Sequence, residues 1–264
     1  MDFRHSAAVP GALSESRSVK IVAVIPVRYA ASRFPGKPLA DLEGRPLVQW
    51  VYDAASRCPA FDDVIVATDD VRIADVVRGF GGRVELTSLK HPSGTDRVAE
   101  VAERHEEADV VVNVQGDQPF ATPEMMSTLV GPYATGERPP MATLACPLTD
   151  ASSLGDPNIV KVVCDRQGYA LYFSRSPIPH SRAGEPVDGL HHLGLYAFTR
   201  QTMIHFASLE QTPLERREQL EQLRALEHGI RIRVSETDRP VLEVNTPEDL
   251  ERARSMLRDG VPSS

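Results

Sequence analysis

The chain has 264 residues, 41% of them apolar and 25% charged, which suits a soluble globular protein of one large domain or two small ones. A formal net charge of −8 argues against a general nucleic-acid binder, because any patch that neutralises phosphates has to be local. No stretch reaches the ~20 apolar residues that insert into a membrane, and residues 1–19 hold no apolar core of signal-peptide length, so they read as a disordered lead.

The apolar run from Ile21 predicts a buried first strand over about 20–26. A helix follows from about Pro46, with Leu47, Trp50, Val51, Ala54 and Ala55 on one face. A second strand runs from Asp63 to Thr68, and a second helix places Ile73, Val76, Val77 and Phe80 on one side before Gly81 and Gly82 stop it. A third strand is expected over Arg83 to Thr87, a helix near Thr95 capped by Ser93, and a fourth strand over Asp109 to Gln115. Strands alternating with helices predict an α/β fold around a mostly parallel sheet.

After residue 140 extended runs dominate: Met141–Leu148, Asn158–Cys164, Tyr169–Ser174 and Leu193–Thr199. They suggest a smaller subdomain inserted at about 140–200, carrying substrate or dimer contacts. A helix is expected over 213–228, opened by Thr212, Pro213 and Glu215 and closed by Gly229. A strand over Arg231–Ser235 follows. Thr246, Pro247, Glu248 and Asp249 then open a last helix, and residues 259–264 read as a frayed tail. Cys58, Cys146 and Cys164 are far apart, without metal-ligand spacing, and read as reduced cysteines of a cytoplasmic protein.

The segment 25–39, IPVRYAASRFPGKPL, carries the densest chemistry. It places Arg28, Arg33 and Lys37 in one loop after a strand, with Ser32 and Gly36 between them. Small residues let backbone N–H groups approach a ligand and the cations supply charge, a composition suited to a triphosphate. The segment 113–117, NVQGD, ends the fourth strand, so Asp117 is expected at the carboxyl edge of the sheet. A single carboxylate facing phosphates is a natural Mg²⁺ ligand, or else a turn residue closing the strand. Asp69 and Asp70 end the second strand at the same edge. Ser93 and Arg97 lead into the third helix, reading either as base or phosphate contacts or as a capped helix start.

These segments resemble the 3-deoxy-manno-octulosonate (Kdo) cytidylyltransferases. The likeness runs through 25–39, VATDD (66–70), SGTDR (93–97), NVQGD, DPN (156–158), VKVV (160–163), YALYFSR (169–175), HLGLY (192–196), LEQLR (220–224) and TPEDLER (246–252), in order over about residues 20–257. The resemblance implies a Rossmann-like nucleotidyl-diphospho-sugar transferase fold over residues 20–258, Mg²⁺, CTP, a homodimer and a place in lipopolysaccharide biosynthesis. It puts Arg28, Ser32, Arg33 and Lys37 on the triphosphate, with Asp69, Ser93, Arg97 and Gln115 on the nucleotide side. Arg175, His192, Tyr196, Glu221 and Gln222 fall around the sugar acid, Arg175 pairing with its carboxylate. Arg28, Lys37 and Asp117 take the catalytic roles. The family usually has aspartate where this chain has Asn245, as a metal ligand beside Asp117, and glutamate where it has Gln118. The loop 181–190 is also shorter than in the family. These departures leave open another acidic substrate, such as an amino-Kdo or sialic-type acid; the alternative outside enzymes is a nucleotide-binding homologue without turnover, against which the intact Lys37 and Asp117 argue.

Overall fold

The computed structural model describes residues 18–30, 33–148, 151–182 and 189–259. Ser32, the lead up to residue 17 and the tail from 260 lie outside the described residues, as does most of the short loop at 181–190.

The elements follow one another as β1 (Ile21–Val27), a single 3₁₀ turn (Lys37–Leu39), β2 (Asp41–Leu42), β3 (Arg45–Pro46), α1 (Leu47–Ser56), β4 (Asp63–Thr68), α2 (Val71–Gly79), β5 (Val84–Leu86), α3 (Gly94–Arg104) and β6 (Val110–Asn113). The second half runs α4 (Pro123–Ala134), β7 (Met141–Pro147), α5 (Ala151–Gly155), β8 (Lys161–Cys164), β9 (Ala170–Ser174), β10 (Leu190–Thr199), α6 (Arg200–Ser208), α7 (Pro213–Glu218), α8 (Gln222–Glu227), β11 (Ile232–Glu236) and α9 (Pro247–Arg258).

The period of two in β1 explains how the sheet is covered. Ile21, Ala23, Ile25 and Val27 face a layer holding Val48 and Val51 of α1 and Leu129 of α4. Val22 and Val24 face the opposite layer, with Val98 of α3, Phe206 of α6 and Leu223 of α8. A strand buried on both faces reads as a continuous apolar run, which is why β1 was legible. A third, smaller core joins Leu42 and Leu47 to Val244, Leu250 and Ala253, packing α9 against the β2–β3 hairpin.

Among the described residues the main path of the sheet is β11-β7-β10-β6-β1-β4-β5. β1 is parallel to β4 and β6, while β10 is antiparallel to β6 and β7. This is the expected α/β, mostly parallel arrangement.

Three expectations change. The segment 140–200 is not one inserted unit: β7 and β10 are inner strands of the main sheet, and β8 with β9 is the part that extends from it. The helix expected over 213–228 is two, α7 and α8, because Gln219 adopts a left-handed backbone (φ 55°). Arg175 Nε holds the Glu218 carbonyl at the break at 2.8 Å, and Arg224 reaches across it to Glu215 at 2.6 and 2.9 Å. Finally α4, capped by Thr122, fills a stretch where the sequence reading named no element. Its buried Met125, Met126, Leu129, Val130, Pro132 and Tyr133 leave little polar face to mark a helical period.

Candidate active site

From β1 the chain moves through β4 to β5 on one side of the sheet, then returns to β6 on the other side of β1. The loops after β1 and β6 therefore diverge and open a crevice at the carboxyl ends of the strands, where open α/β sheets take their ligands. Lys37 from the first loop and Asp117 from the second meet there, with Lys37 Nζ 2.9 Å from Asp117 Oδ2. Asn245 joins them from just before α9, its Oδ1 3.5 Å from Lys37 Nζ. A cleft of about 280 Å³ is bordered by Arg28, Arg33, Lys37, Gln115, Asp117 and Asn245. A larger hollow of about 500 Å³, beside Arg45, Trp50 and Phe120, holds none of the expected site residues, so volume alone does not locate the site.

The geometry of Asp117 has a clear local cause. A Cβ on Gly116 would lie 2.5 Å from Val27 Cγ1 and 3.1 Å from the Pro26 carbonyl. Glycine is needed there because the loop presses on the end of β1; its φ is not positive, so close approach rather than a left-handed turn is what requires it.

On the nucleotide side several expected residues are engaged with the protein itself. Ser93 Oγ accepts from Asp96 N at 3.2 Å and donates to Asp96 Oδ2 at 2.5 Å, capping α3. Arg97 is 3% exposed and forks between Thr87 Oγ1 and Asp69 Oδ2, the latter at 3.1 Å, so Arg97 and Asp69 brace β4 against α3. Gln115 Nε2 donates to the Gly194 carbonyl at 3.1 Å, tying the β6 loop to β10. Arg28 and Arg33 are exposed at the cleft mouth.

The residues expected around a sugar acid gather on the α3–α8 side. His192 opposes Ala145 and Tyr196 opposes Thr143, so Leu193, Gly194 (φ 69°) and Leu195 form a bulge against Leu144 alone. The two extra residues preserve the alternation, and the His192 and Tyr196 rings sit on one face with centroids 5.4 Å apart. Thr143 Oγ1 donates to the Leu195 carbonyl at 2.7 Å, so its oxygen accepts from His192 Nε2 at 3.0 Å. The imidazole proton is thereby placed on Nε2, leaving Nδ1 to accept from Gln222 Nε2 at 3.5 Å. Burial pushes the His192 pKa down to about 3, so the ring is neutral at physiological pH. Glu221 Oε2 accepts from Thr95 Oγ1 at 2.5 Å, and burial raises its carboxyl above the ordinary range. Burial, then the charges of Glu221 and Glu243, also raise the Tyr196 hydroxyl.

Arg175 is oriented differently from the sequence expectation. Besides Glu218, its guanidinium donates to the carbonyls of Pro157 at 2.9 Å and Gln219 at 3.4 Å. These bonds hold the α7–α8 break; its remaining N–H groups are those left for a ligand.

Asp117 and Asn245 suit a magnesium ion in their chemistry. Both present hard oxygen, and both aim at one positive centre, the Lys37 ammonium. No group of three His, Cys, Asp or Glu that would form a closed metal cage occurs among the described residues. Mg²⁺ needs only one or two protein oxygens when phosphates and water supply the rest.

Two residues were missed from the sequence. Glu243 accepts from Asn245 Nδ2 at 3.1 Å and from Gln118 Nε2 at 3.2 Å. Glu243 is exposed at the surface, yet desolvation by neighbouring atoms and then the Asp117 charge raise its carboxyl. Its signal was one acid in an otherwise apolar run, Val241 to Val244. Thr95, inside SGTDR, reads in the sequence only as the start of a helix.

A cytidylyltransferase family model matches residues 22–232. The 3-deoxy-manno-octulosonate cytidylyltransferase of Acaryochloris marina is 56% identical over 245 residues, 93% of this chain and 100% of the relative. The enzyme of the same name from Geobacter sulfurreducens is 47% identical over 251 residues, 91% of this chain and 100% of its own. A solved CMP:2-keto-3-deoxy-manno-octonic acid synthetase complexed with CTP superposes with a TM-score of 0.87 at 41% identity, covering 91% of this chain and 99% of that one. The 4-diphosphocytidyl-2C-methyl-D-erythritol synthase of Anaerococcus prevotii, at 16% identity and a TM-score of 0.60 with 91% and 99% of the two chains covered, shares the fold. With its motifs in register along nearly its whole length, the chain belongs to the 3-deoxy-manno-octulosonate cytidylyltransferase family.

Proposed function

We propose that this protein transfers CMP from CTP to the anomeric hydroxyl of Kdo, a 3-deoxy-2-keto sugar acid, releasing pyrophosphate. The observation that carries the reading is the meeting of Lys37 and Asp117 in the crevice between β1 and β6. The cluster of His192, Tyr196, Glu221 and Gln222 lies on the adjoining β10–α8 wall. A cation and a carboxylate at a strand-end crevice suit a nucleoside triphosphate. A wall of neutral imidazole, amide, phenol and carboxyl suits a polyhydroxylated acid.

Such transfers need positioning and charge stabilisation more than covalent help from the protein. Arg28, Arg33 and Lys37 neutralise the triphosphate at the mouth of the cleft. Asp117 and Asn245 would hold Mg²⁺, which when bound supplies charge neutralisation to the phosphates and acidifies the attacking hydroxyl. His192, fixed as the Nε2–H tautomer, positions the Gln222 amide on this wall. The sugar carboxylate falls to Arg175, through the N–H groups that its backbone bonds leave free. We extend the reading to a cytoplasmic homodimer serving lipopolysaccharide biosynthesis. Leu171, 62% exposed on β9, supports a partner on that face, and β9 pairs only with β8 among the described residues.

Pyrophosphate release, measured with each of CTP, UTP and ATP against a panel of sugar acids, tests the proposal. CTP with Kdo is expected to be strongly preferred. A base pocket separates cytosine from uracil by hydrogen bonds at one ring edge, where a mispaired buried group is costly. Comparable release with UTP or ATP, or with a sialic-type acid in place of Kdo, would refute the respective half.

A further inference from the structure

We infer that Glu243 is a positioning residue that turns Asn245 into an oxygen donor toward the cation, and so lets an amide occupy the second cation-binding position. This rests on reading the cleft as a Mg²⁺–nucleotide site.

An asparagine amide has two faces of nearly equal shape and opposite chemistry, an acceptor oxygen and a donor NH₂. Only the oxygen serves a cation. Here Nδ2 donates to Glu243 Oε2 at 3.1 Å while Oδ1 faces Lys37 Nζ at 3.5 Å. Flipping the amide would set NH₂ against an ammonium and oxygen against a carboxylate, two repulsive contacts at once. Glu243 thus selects one of two otherwise similar orientations.

The placement of Glu243 is itself determined. Val244, fully buried in the core under α9, donates its N–H to the Asp117 carbonyl at 2.8 Å. Residues at i and i+2 of an extended segment share a side, so Glu243 and Asn245 flank this anchor and meet each other, with Asn245 at the cleft and Glu243 behind it. The second carboxylate oxygen of Glu243 accepts from Gln118 Nε2 at 3.2 Å, and the same NH₂ donates to the Leu193 carbonyl at 2.8 Å. One carboxylate therefore orders both amides at the places where the family usually carries acids. Among the described residues Glu243 forms no ion pair, so its partners are these amides. The negative charge absent from position 245 sits directly behind it.

Mn²⁺ serves as the probe, its binding followed by the electron paramagnetic resonance of free ion, with CTP present and sugar acid absent so that no turnover occurs. Proteins compared are the full chain, Glu243→Ala, Glu243→Gln, Asn245→Asp, Glu243→Ala with Asn245→Asp, and Asp117→Asn, each with its Tm. Removing a group that orients a metal ligand costs about 10–100-fold in metal affinity. Glu243→Ala is expected to weaken Mn²⁺ binding about ten-fold. Glu243→Gln, which keeps the shape, is expected to weaken it in the same direction. In the Asn245→Asp background the loss should shrink below about two-fold, because a carboxylate has no wrong face. An equal loss in both backgrounds, or none for Glu243→Ala, overturns the inference while leaving the cleft reading intact. Binding unchanged by Asp117→Asn overturns the cleft reading and the inference with it.

Discussion

Thr95 and Glu221 stand 126 positions apart, yet Thr95 Oγ1 donates to Glu221 Oε2 at 2.5 Å. The bond joins the first turn of α3, at the carboxyl edge of the sheet, to the start of α8, where Glu221 and Gln222 lie. It also links two motifs that the sequence offers only as separate segments.

Thr95→Val removes this donor while keeping the shape of the side chain. Glu221, held in a crowded site, then loses its neutral hydrogen-bond partner, at a cost of about 1–3 kcal/mol. The expected outcome is a rise of roughly ten-fold in KM for the sugar acid with KM for CTP little changed. Thr95→Ser, which restores the hydroxyl, should recover most of the loss. Steady-state pyrophosphate release with each substrate varied in turn measures the split; a rise confined to CTP would assign the bond to the nucleotide side.

Lys37→Ala and Arg33→Ala each remove a cation from the loop after β1. Contacts of this charge-assisted kind are worth roughly 1.5–3 kcal/mol, so kcat/KM for CTP should fall about ten- to hundred-fold. The melting temperature should hold, since Arg33 is exposed and Lys37 reaches the cleft rather than a core. Wild-type CTP kinetics in both variants would remove the phosphate role from this loop.

Gly116→Ala asks whether the press of the Asp117 loop on β1 matters. The new Cβ would meet Val27 Cγ1 at 2.5 Å and the Pro26 carbonyl at 3.1 Å, and a main-chain atom cannot swing aside. Overpacking of this sort costs about 1–3 kcal/mol. For a chain of this size that is roughly 3–10 °C in Tm. Because relief requires the loop to lift, activity should fall further than the Tm shift explains, and a crystal structure of the variant should show Asp117 displaced from Lys37.

His105 closes α3 between two carboxylates, with Nε2 2.7 Å from Glu85 and Nδ1 3.0 Å from Glu107; Arg104 lies 3.4 Å from the other Glu85 oxygen. Burial opposes its charged form, but the bonds to Glu107 and Glu85 prevail and its pKa is raised. A histidine raised in the folded state contributes stability in full below its unfolded pKa of ~6.5. That contribution disappears as pH climbs through the raised folded value. His105→Gln should therefore lower Tm more at about pH 6 than at about pH 9. Equal losses at both, followed by circular dichroism, would show that the ring acts by packing alone.

The legible parts of this chain are those where one physical cause acts alone. β4 runs from Asp63 to Thr68 as the sequence indicates, because it is buried on both faces and bounded by polar residues. α9 opens at Thr246 and Pro247 as indicated, because Thr246 and Asp249 cap each other within one turn. The break between α7 and α8 was hidden because its cause is distant: Arg175 gripping the carbonyls at 218 and 219. In the site, Lys37, Asp117, His192 and Tyr196 were nameable from motifs. The cap formed by Ser93 was legible, but motifs alone did not show that Arg97 is engaged with Thr87 and Asp69. Glu243 was invisible because its role depends on an amide two residues away and another on a different loop.

The packing of α9 on the β2–β3 hairpin has a temporal side. Lys37 and Asn245 lie 208 positions apart, and Val244 is the buried residue that docks the later one. A ribosome that has released β1 through β6 and the loop after it has made Lys37 and Asp117 but not Asn245, which completes their corner. The crevice remains three-sided until the segment before α9 emerges and its small apolar patch closes on Leu42 and Leu47. Loss of that patch's contacts would remove Asn245 from the corner while leaving the strand pairings of the sheet in place.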